Sequence, residues 1–144
     1  MKIKLIKSID KDKAFKLVID TFLRFEAQDY GEEGINTFKT LLHDNEFIKS
    51  LEMYGAFDGE DLIGVIATRN SGSHIVLLFV DGNHHRKGIA KELFNNVLKQ
   101  FSSEIITVNS SPYAINAYKR LGFTATKKEQ IKDGIRFTPM IYKR

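Results

Sequence analysis

Residues 74–80, His-Ile-Val-Leu-Leu-Phe-Val, form an apolar run with no polar alternation. Such a run suits a strand buried on both faces, which places it at the centre of a sheet. Residues 87–101 then switch to helical spacing, with Ile89, Ala90, Leu93, Phe94, Val97, Leu98 and Phe101 along one stripe. Glu-Ile-Ile-Thr-Val-Asn (104–109) returns to strand. Strand, helix and strand in this order make a crossover unit with a parallel pair.

Two strands cannot stand alone, and the rest of the chain supplies their neighbours. Residues 2–7 alternate apolar with basic side chains, as a short opening strand does, and Ala14, Phe15, Val18, Ile19, Phe22 and Phe25 mark an amphipathic helix over 10–25. A second helical segment is expected over 31–50, its start weakened by Gly31 and Gly34. Leu51–Phe57 and Leu62–Arg69 form a hairpin closed through Asp58-Gly59, and Asn-Ser-Gly-Ser (70–73) turns into the apolar run. Ser111 at an N-cap, Pro112 behind it and Gly122 past the last apolar turn bracket a short helix over 112–121. Phe123–Glu129 and Ile135–Lys143 are two last strands joined through Asp133-Gly134. The expected class is α+β, a mixed sheet covered by helices on both faces. At 144 residues one domain over 1–144 is expected.

Composition narrows the partners. The net charge of +4 is modest for a nucleic-acid binder, and the strands lack the aromatic and basic pattern of an RNA-reading sheet, so no nucleic-acid partner is expected. The absence of cysteine excludes a disulfide framework and a cysteine nucleophile. The basic, alternating start is unlike a secretion signal and no run approaches spanning length, so a cytoplasmic protein without a membrane partner is expected. Four histidines, at 43, 74, 84 and 85, show no metal-ligand spacing, and no metal is expected.

Between the apolar run and its helix lies Asp-Gly-Asn-His-His-Arg-Lys-Gly-Ile-Ala-Lys (81–91). A strand entering a helix through a glycine turn leaves the first helical N–H groups unpaired and converging, which makes an anion site. Gly88 opens the backbone, Ala90 keeps the next turn small, and Arg86, Lys87 and Lys91 add positive charge. The spacing is neither a P-loop nor a dinucleotide fingerprint.

Two motifs in order make the chain resemble the GCN5-related N-acetyltransferase (GNAT) family. The first is an apolar strand followed by Gln/Arg-x-x-Gly-x-Gly/Ala, here His85-Arg86-Lys87-Gly88-Ile89-Ala90; the second is Tyr-x-x-x-Gly-Phe, here Tyr118 to Gly122-Phe123. The resemblance implies a mostly antiparallel sheet with a splayed parallel pair. It implies acetyl-CoA as co-substrate, with pyrophosphate on residues 86–91 and the pantetheine arm along a bulged strand at Leu78, Phe79 and Val80. It also implies Tyr118 as the acid that protonates the leaving thiolate. Two positions depart from the family pattern. His85 replaces Gln or Arg and can still donate to phosphate, and Ser111 stands where Asn often holds the cofactor, a task open to Asn109 or Asn116.

Acetyl transfer to an amine needs a base. The central run carries no carboxylate, which leaves His74 or Glu26, or loss of the proton through water. The resemblance implies that the first two helices form the acceptor wall, and residues 22–54 there hold Glu26, Asp29, Glu32, Glu33, Asp44, Glu46 and Glu52 against Arg24, Lys39 and Lys49, matching a cationic amine acceptor. Without cysteine the expected reaction is direct transfer to a primary amine of a small molecule or protein. The other reading of the same fold is an idle acyl-CoA-binding or sensor module, and the C-terminal strands of such folds offer an edge for a homodimer.

Overall fold

The computed structural model describes residues 1–144. In chain order the strands are β1 (Lys2–Leu5), β2 (Glu52–Asp58), β3 (Asp61–Arg69), β4 (His74–Val80), β5 (Ile105–Ser110), β6 (Thr124–Ala125), β7 (Gln130–Lys132) and β8 (Ile135–Lys143). The helices are α1 (Lys11–Phe25), α2 (Gly31–Leu42), α3 (Asn45–Lys49), α4 (Ile89–Gln100) and α5 (Ile115–Leu121). Strand order is β1-β2-β3-β4-β5-β8-β6, with β7 paired to β8. All pairs are antiparallel except β4 with β5. No helix is long and apolar enough to cross a membrane.

The parallel pair holds for only two positions, His74 opposite Thr107 and Ile75 opposite Val108. Beyond Ile75 the two strands separate, so the β5-facing edge of β4 has no strand partner from Val76 onward. A bulge accompanies the separation. The β3–β4 register slips between Ala67 and Thr68, which leaves Val76 as the extra residue. The bulge therefore sits at Val76 and not at 78–80. It changes which way side chains face: Ile75 and Leu78 pack with the α4 layer, whereas Val76 and Leu77 both pack with the α1–α2 layer. β4 is central as expected but not closed on both faces, since Val76, Leu78 and Val80 are only half-buried.

Helix periodicity sorts the core into two layers. On one face Phe22, fully buried, stacks on Phe38 at 4.0 Å and Tyr30 at 5.5 Å between centroids, over Leu77 and Phe79. Truncating Phe22 to Ala would cost about 3–5 kcal/mol. On the other face Leu93, Phe94 and Val97 of α4 meet Ile106, Phe123 and Met140.

Four element boundaries differ from sequence expectation. The helical segment over 31–50 breaks after Leu42 because Asp44 caps a new helix, its Oδ1 accepting from the N–H groups of Glu46 (3.1 Å) and Phe47 (3.2 Å). α4 begins at Ile89, since Gly88 is left-handed at φ +77°. α5 begins at Ile115, because residues 112–114 form a turn closed by Ser111 Oγ accepting from Ala114 N–H at 3.2 Å. The strand expected over 123–129 divides into β6 and the separate β7, and β7 turns through Asp133 and Gly134, both at positive φ, into β8.

Candidate active site

Where β4 and β5 part, a cavity of about 350 Å³ opens between the sheet and the α2–α3 side, lined by Phe22, Phe38, Phe47, Leu77 and Phe79 among others. At one end its polar groups come from four places in the chain. Glu26 follows the end of α1, Tyr30 precedes α2, Ser111 follows β5 and Tyr118 lies on α5, and all four line this one cavity. Burial pushes the Glu26 carboxyl up from 4.5 to about 7; the Ser111 hydroxyl beside it pulls it down and Asp29 pushes it up. Burial, then the Glu26 charge, raises Tyr30 well above the usual phenol range. The same causes in the same order, with Tyr30 added, raise Tyr118, which is 6% exposed and set edge-on against Phe123 at 5.4 Å. The cluster thus joins a carboxyl poised near neutrality to two phenols that stay protonated. That combination can accept one proton and donate another.

The other polar end of the cavity is built differently. His74 Nδ1 lies 2.7 Å from Thr107 Oγ1, and that hydroxyl in turn donates to Ser73 O at 3.4 Å. Burial and then Arg69 lower the His74 pKa, so its imidazole is neutral and serves the short parallel pairing.

Past the C-terminal end of β4 the chain makes a loop suited to an anion. Arg86 (φ +64°) and Gly88 (φ +77°) are both left-handed, which turns successive N–H groups to one side. No side chain caps α4, so its first N–H groups are free to bind an anion. A Cβ on Gly88 would meet no atom within 4 Å, so the approach is open and glycine is required by the backbone angle alone. Arg86, Lys87 and Lys91 are exposed around it. The chemistry of this loop suits a phosphate or pyrophosphate, and between it and the cavity the edge of β4 at 76–79 has no strand partner.

A family model described as an acetyltransferase (GNAT) domain matches residues 26–144. The chain belongs to the GNAT acetyltransferase family. Solved GNAT structures share its architecture. A GCN5-related N-acetyltransferase from Rhodopseudomonas palustris aligns over 99% of this chain and 95% of its own, with TM-score 0.85 at 16% identity. The PaiA N-acetyltransferase of Thermoplasma acidophilum, solved in complex with coenzyme A, aligns over 100% of both chains, with TM-score 0.77 at 18% identity. A Bacillus subtilis acetyltransferase in complex with CoA covers 99% of this chain and 98% of its own, with TM-score 0.67 at 17% identity.

Within this GNAT chain the candidate residues fall into three groups. Glu26, Ser111 and Tyr118 converge, and His74 and Asn109 line the same cavity farther along. Residues 86–91 form the cradle, with Ile89 turned into the core and Ala90 half-buried. His85 and Asn116 stand apart. The His85 Nε2–H donates to Val80 O at 2.7 Å and its ring packs 4.7 Å from Phe25, so that nitrogen is committed to the protein and occupies the Val80 carbonyl. Phe25 also stacks on Tyr113 at 5.4 Å, so a row of three rings bridges the C-terminal ends of the splayed strands. Asn116 is exposed on α5, and Ser111 Oγ holds the turn before that helix. His84 pairs with Asp81 at 2.9 Å, so the adjacent histidines serve different partners.

Of the acidic residues expected along the acceptor wall, Glu52 is occupied elsewhere, accepting from Thr68 Oγ1 (2.9 Å) and Gly72 N–H (3.0 Å). Tyr30 was not foreseen as a site residue. Its one sequence signal is the four-residue spacing from Glu26, which a helix would align on one face.

Proposed function

We propose that this GNAT chain is an acetyl-CoA-dependent N-acetyltransferase that moves the acetyl group directly to a primary amine. The observation that carries the reading is the Glu26–Ser111–Tyr118 cluster at the mouth of the splay, with Glu26 near pH 7. When bound, acetyl-CoA supplies a thioester whose carbonyl carbon an uncharged amine can attack. The chain's own groups do the rest. The N–H groups of the 86–91 loop bind pyrophosphate, aided by Arg86, Lys87 and Lys91, and the free edge of β4 at 76–79 orients the pantetheine arm, the Val80 carbonyl being held by His85. Glu26 takes a proton from the acceptor ammonium, and the Tyr118 hydroxyl gives its proton to the departing sulfur. Tyr30 and Ser111 orient the carboxylate. Glu26 is preferred over His74 as the base because His74 is engaged by Thr107 and lies at the opposite end of the cavity.

The test is a panel of amines with acetyl-CoA, following released thiol. The chain has no cysteine, so the protein contributes no thiol background. Amine-dependent thiol release together with a rise in melting temperature on adding acetyl-CoA is the expected result. Stabilisation by acetyl-CoA without turnover on any amine would instead identify an acyl-CoA sensor, and no stabilisation would remove the co-substrate assignment.

A further inference from the structure

The acceptor half of the cavity has a chemistry of its own, and reading it rests on the transferase function proposed above. Its walls are aromatic and aliphatic, from Phe22, Phe38, Phe47, Leu41 and Ile135. Glu26 is the one carboxylate that lines it, and Arg69 is the one permanent cation. The two stand at opposite ends. Arg69 pairs across the sheet with His74 at the start of β4, and His74 is level with Thr107 on β5. Glu26 faces Ser111, four residues farther along, which is roughly 13 Å of extended chain.

Arg69 also lacks a partner. The ion pairs of the molecule join Lys16 to Asp20 and Arg136 to Asp29 and Glu129, Asp81 is hydrogen-bonded to His84, and none of these reaches Arg69. No hydrogen bond of the protein uses its guanidinium, although Glu52 lies on the neighbouring strand and accepts from Thr68 and Gly72 instead. An unpaired arginine at the rim of an apolar cavity, opposite a carboxylate, is complementary to a molecule with an amine at one end and an anion at the other.

We infer that the acetyl acceptor is a primary amine on an apolar, ring-sized body with an anionic group, a carboxylate or its equivalent, at the far end, its amine meeting Glu26 and its anion meeting Arg69. An α-amino acid is too short to reach both, because its amine and carboxylate share one carbon. A polyamine fits worse, since it would put a second ammonium against Arg69 and charge against the phenylalanines. The site is therefore selective by length and by the sign of the distal charge.

The experiment compares 4-(2-aminoethyl)benzoate, 2-phenylethylamine, 4-(aminomethyl)phenethylamine, phenylalanine and spermidine. It reads kcat/KM by thiol release and, separately, amine binding to the CoA-saturated protein by calorimetry. The expected order puts the benzoate first, about tenfold above the neutral amine, with the diamine, phenylalanine and spermidine below. Arg69→Gln lowers the ratio of benzoate to neutral amine about tenfold, Arg69→Lys restores part of it, and Arg69→Glu turns the preference toward the diamine. Spermidine or phenylalanine as the best acceptor, or a benzoate-to-neutral ratio that ignores all three substitutions, overturns the inference. If the amines bind in the expected order but none is acetylated, the selectivity of the site for an amine with a distal anion stands and the transferase reading falls.

Discussion

The proposed chemistry rests on Glu26, whose environment can be tested apart from any reaction. Its carboxyl has a folded pKa of about 7 against 4.5 ordinarily, so between these values the native state binds more protons than the unfolded chain. The Glu26 contribution to stability is therefore fully present below about pH 4.5 and is lost as pH rises through about 7, by up to about 3 kcal/mol. Glu26→Gln should flatten that dependence, making the protein more stable than wild type at pH 8 but not at pH 4.5, as denaturant titrations at the two values will read. The same substitution should lower kcat by about 10²- to 10³-fold. Tyr118 is buried against Phe123, so Tyr118→Phe keeps the packing and loses only the hydroxyl. It should lower kcat at least tenfold while leaving the Kd for acetyl-CoA within about twofold, read by single-turnover kinetics and calorimetry.

Between elements, two glycines with opposite reasons for being glycine separate co-substrate from acceptor. At Gly88 the constraint is the left-handed backbone, so Gly88→Ala should cost about 1 kcal/mol of stability and weaken acetyl-CoA binding severalfold by turning the α4 N–H groups aside. At Gly34 the constraint is space. A Cβ there would overlap the Gly134 carbonyl oxygen in the β7–β8 turn, which Thr37 also holds through its hydroxyl bond to Asp133 O at 2.7 Å. Gly34→Ala should displace that hairpin and raise the acceptor KM, while calorimetry shows acetyl-CoA affinity unchanged.

The contrast also marks how far the sequence could be read. Gly88 was legible because its role is local, set by a strand, a turn and a helix contiguous in the chain. Gly34 read only as a weak helix start, because its reason lies a hundred residues away. The elements themselves were legible wherever periodicity ran unbroken, as in α1 and α4. They were not where a side chain interrupts it, as Asp44 does after α2. The candidate cluster was half legible. Glu26 and Tyr118 were candidates singly, but their meeting with Tyr30 and Ser111 follows from the splay of β4 from β5, and the bulge at Val76 that accompanies it has no sequence mark within an unbroken apolar run.

Taken whole, the molecule divides its labour across one sheet. The α4 face and its loop present backbone N–H groups and cations to an anion, the α1–α2 face encloses an apolar cavity, and the gap between β4 and β5 connects them at Glu26 and Tyr118. On the proposed reading the base comes from the end of α1, as Glu26, because the central strand carries no carboxylate. The most direct test is the pH dependence of kcat/KM for acetyl transfer in wild type and Glu26→Gln, with an amine that turns over. The expectation is a wild-type rate that rises with pH and inflects at about 7, as Glu26 loses its proton, and a variant slowed about 100-fold or more whose profile lacks that inflection. A Glu26→Gln protein with wild-type turnover and an unchanged profile would contradict it.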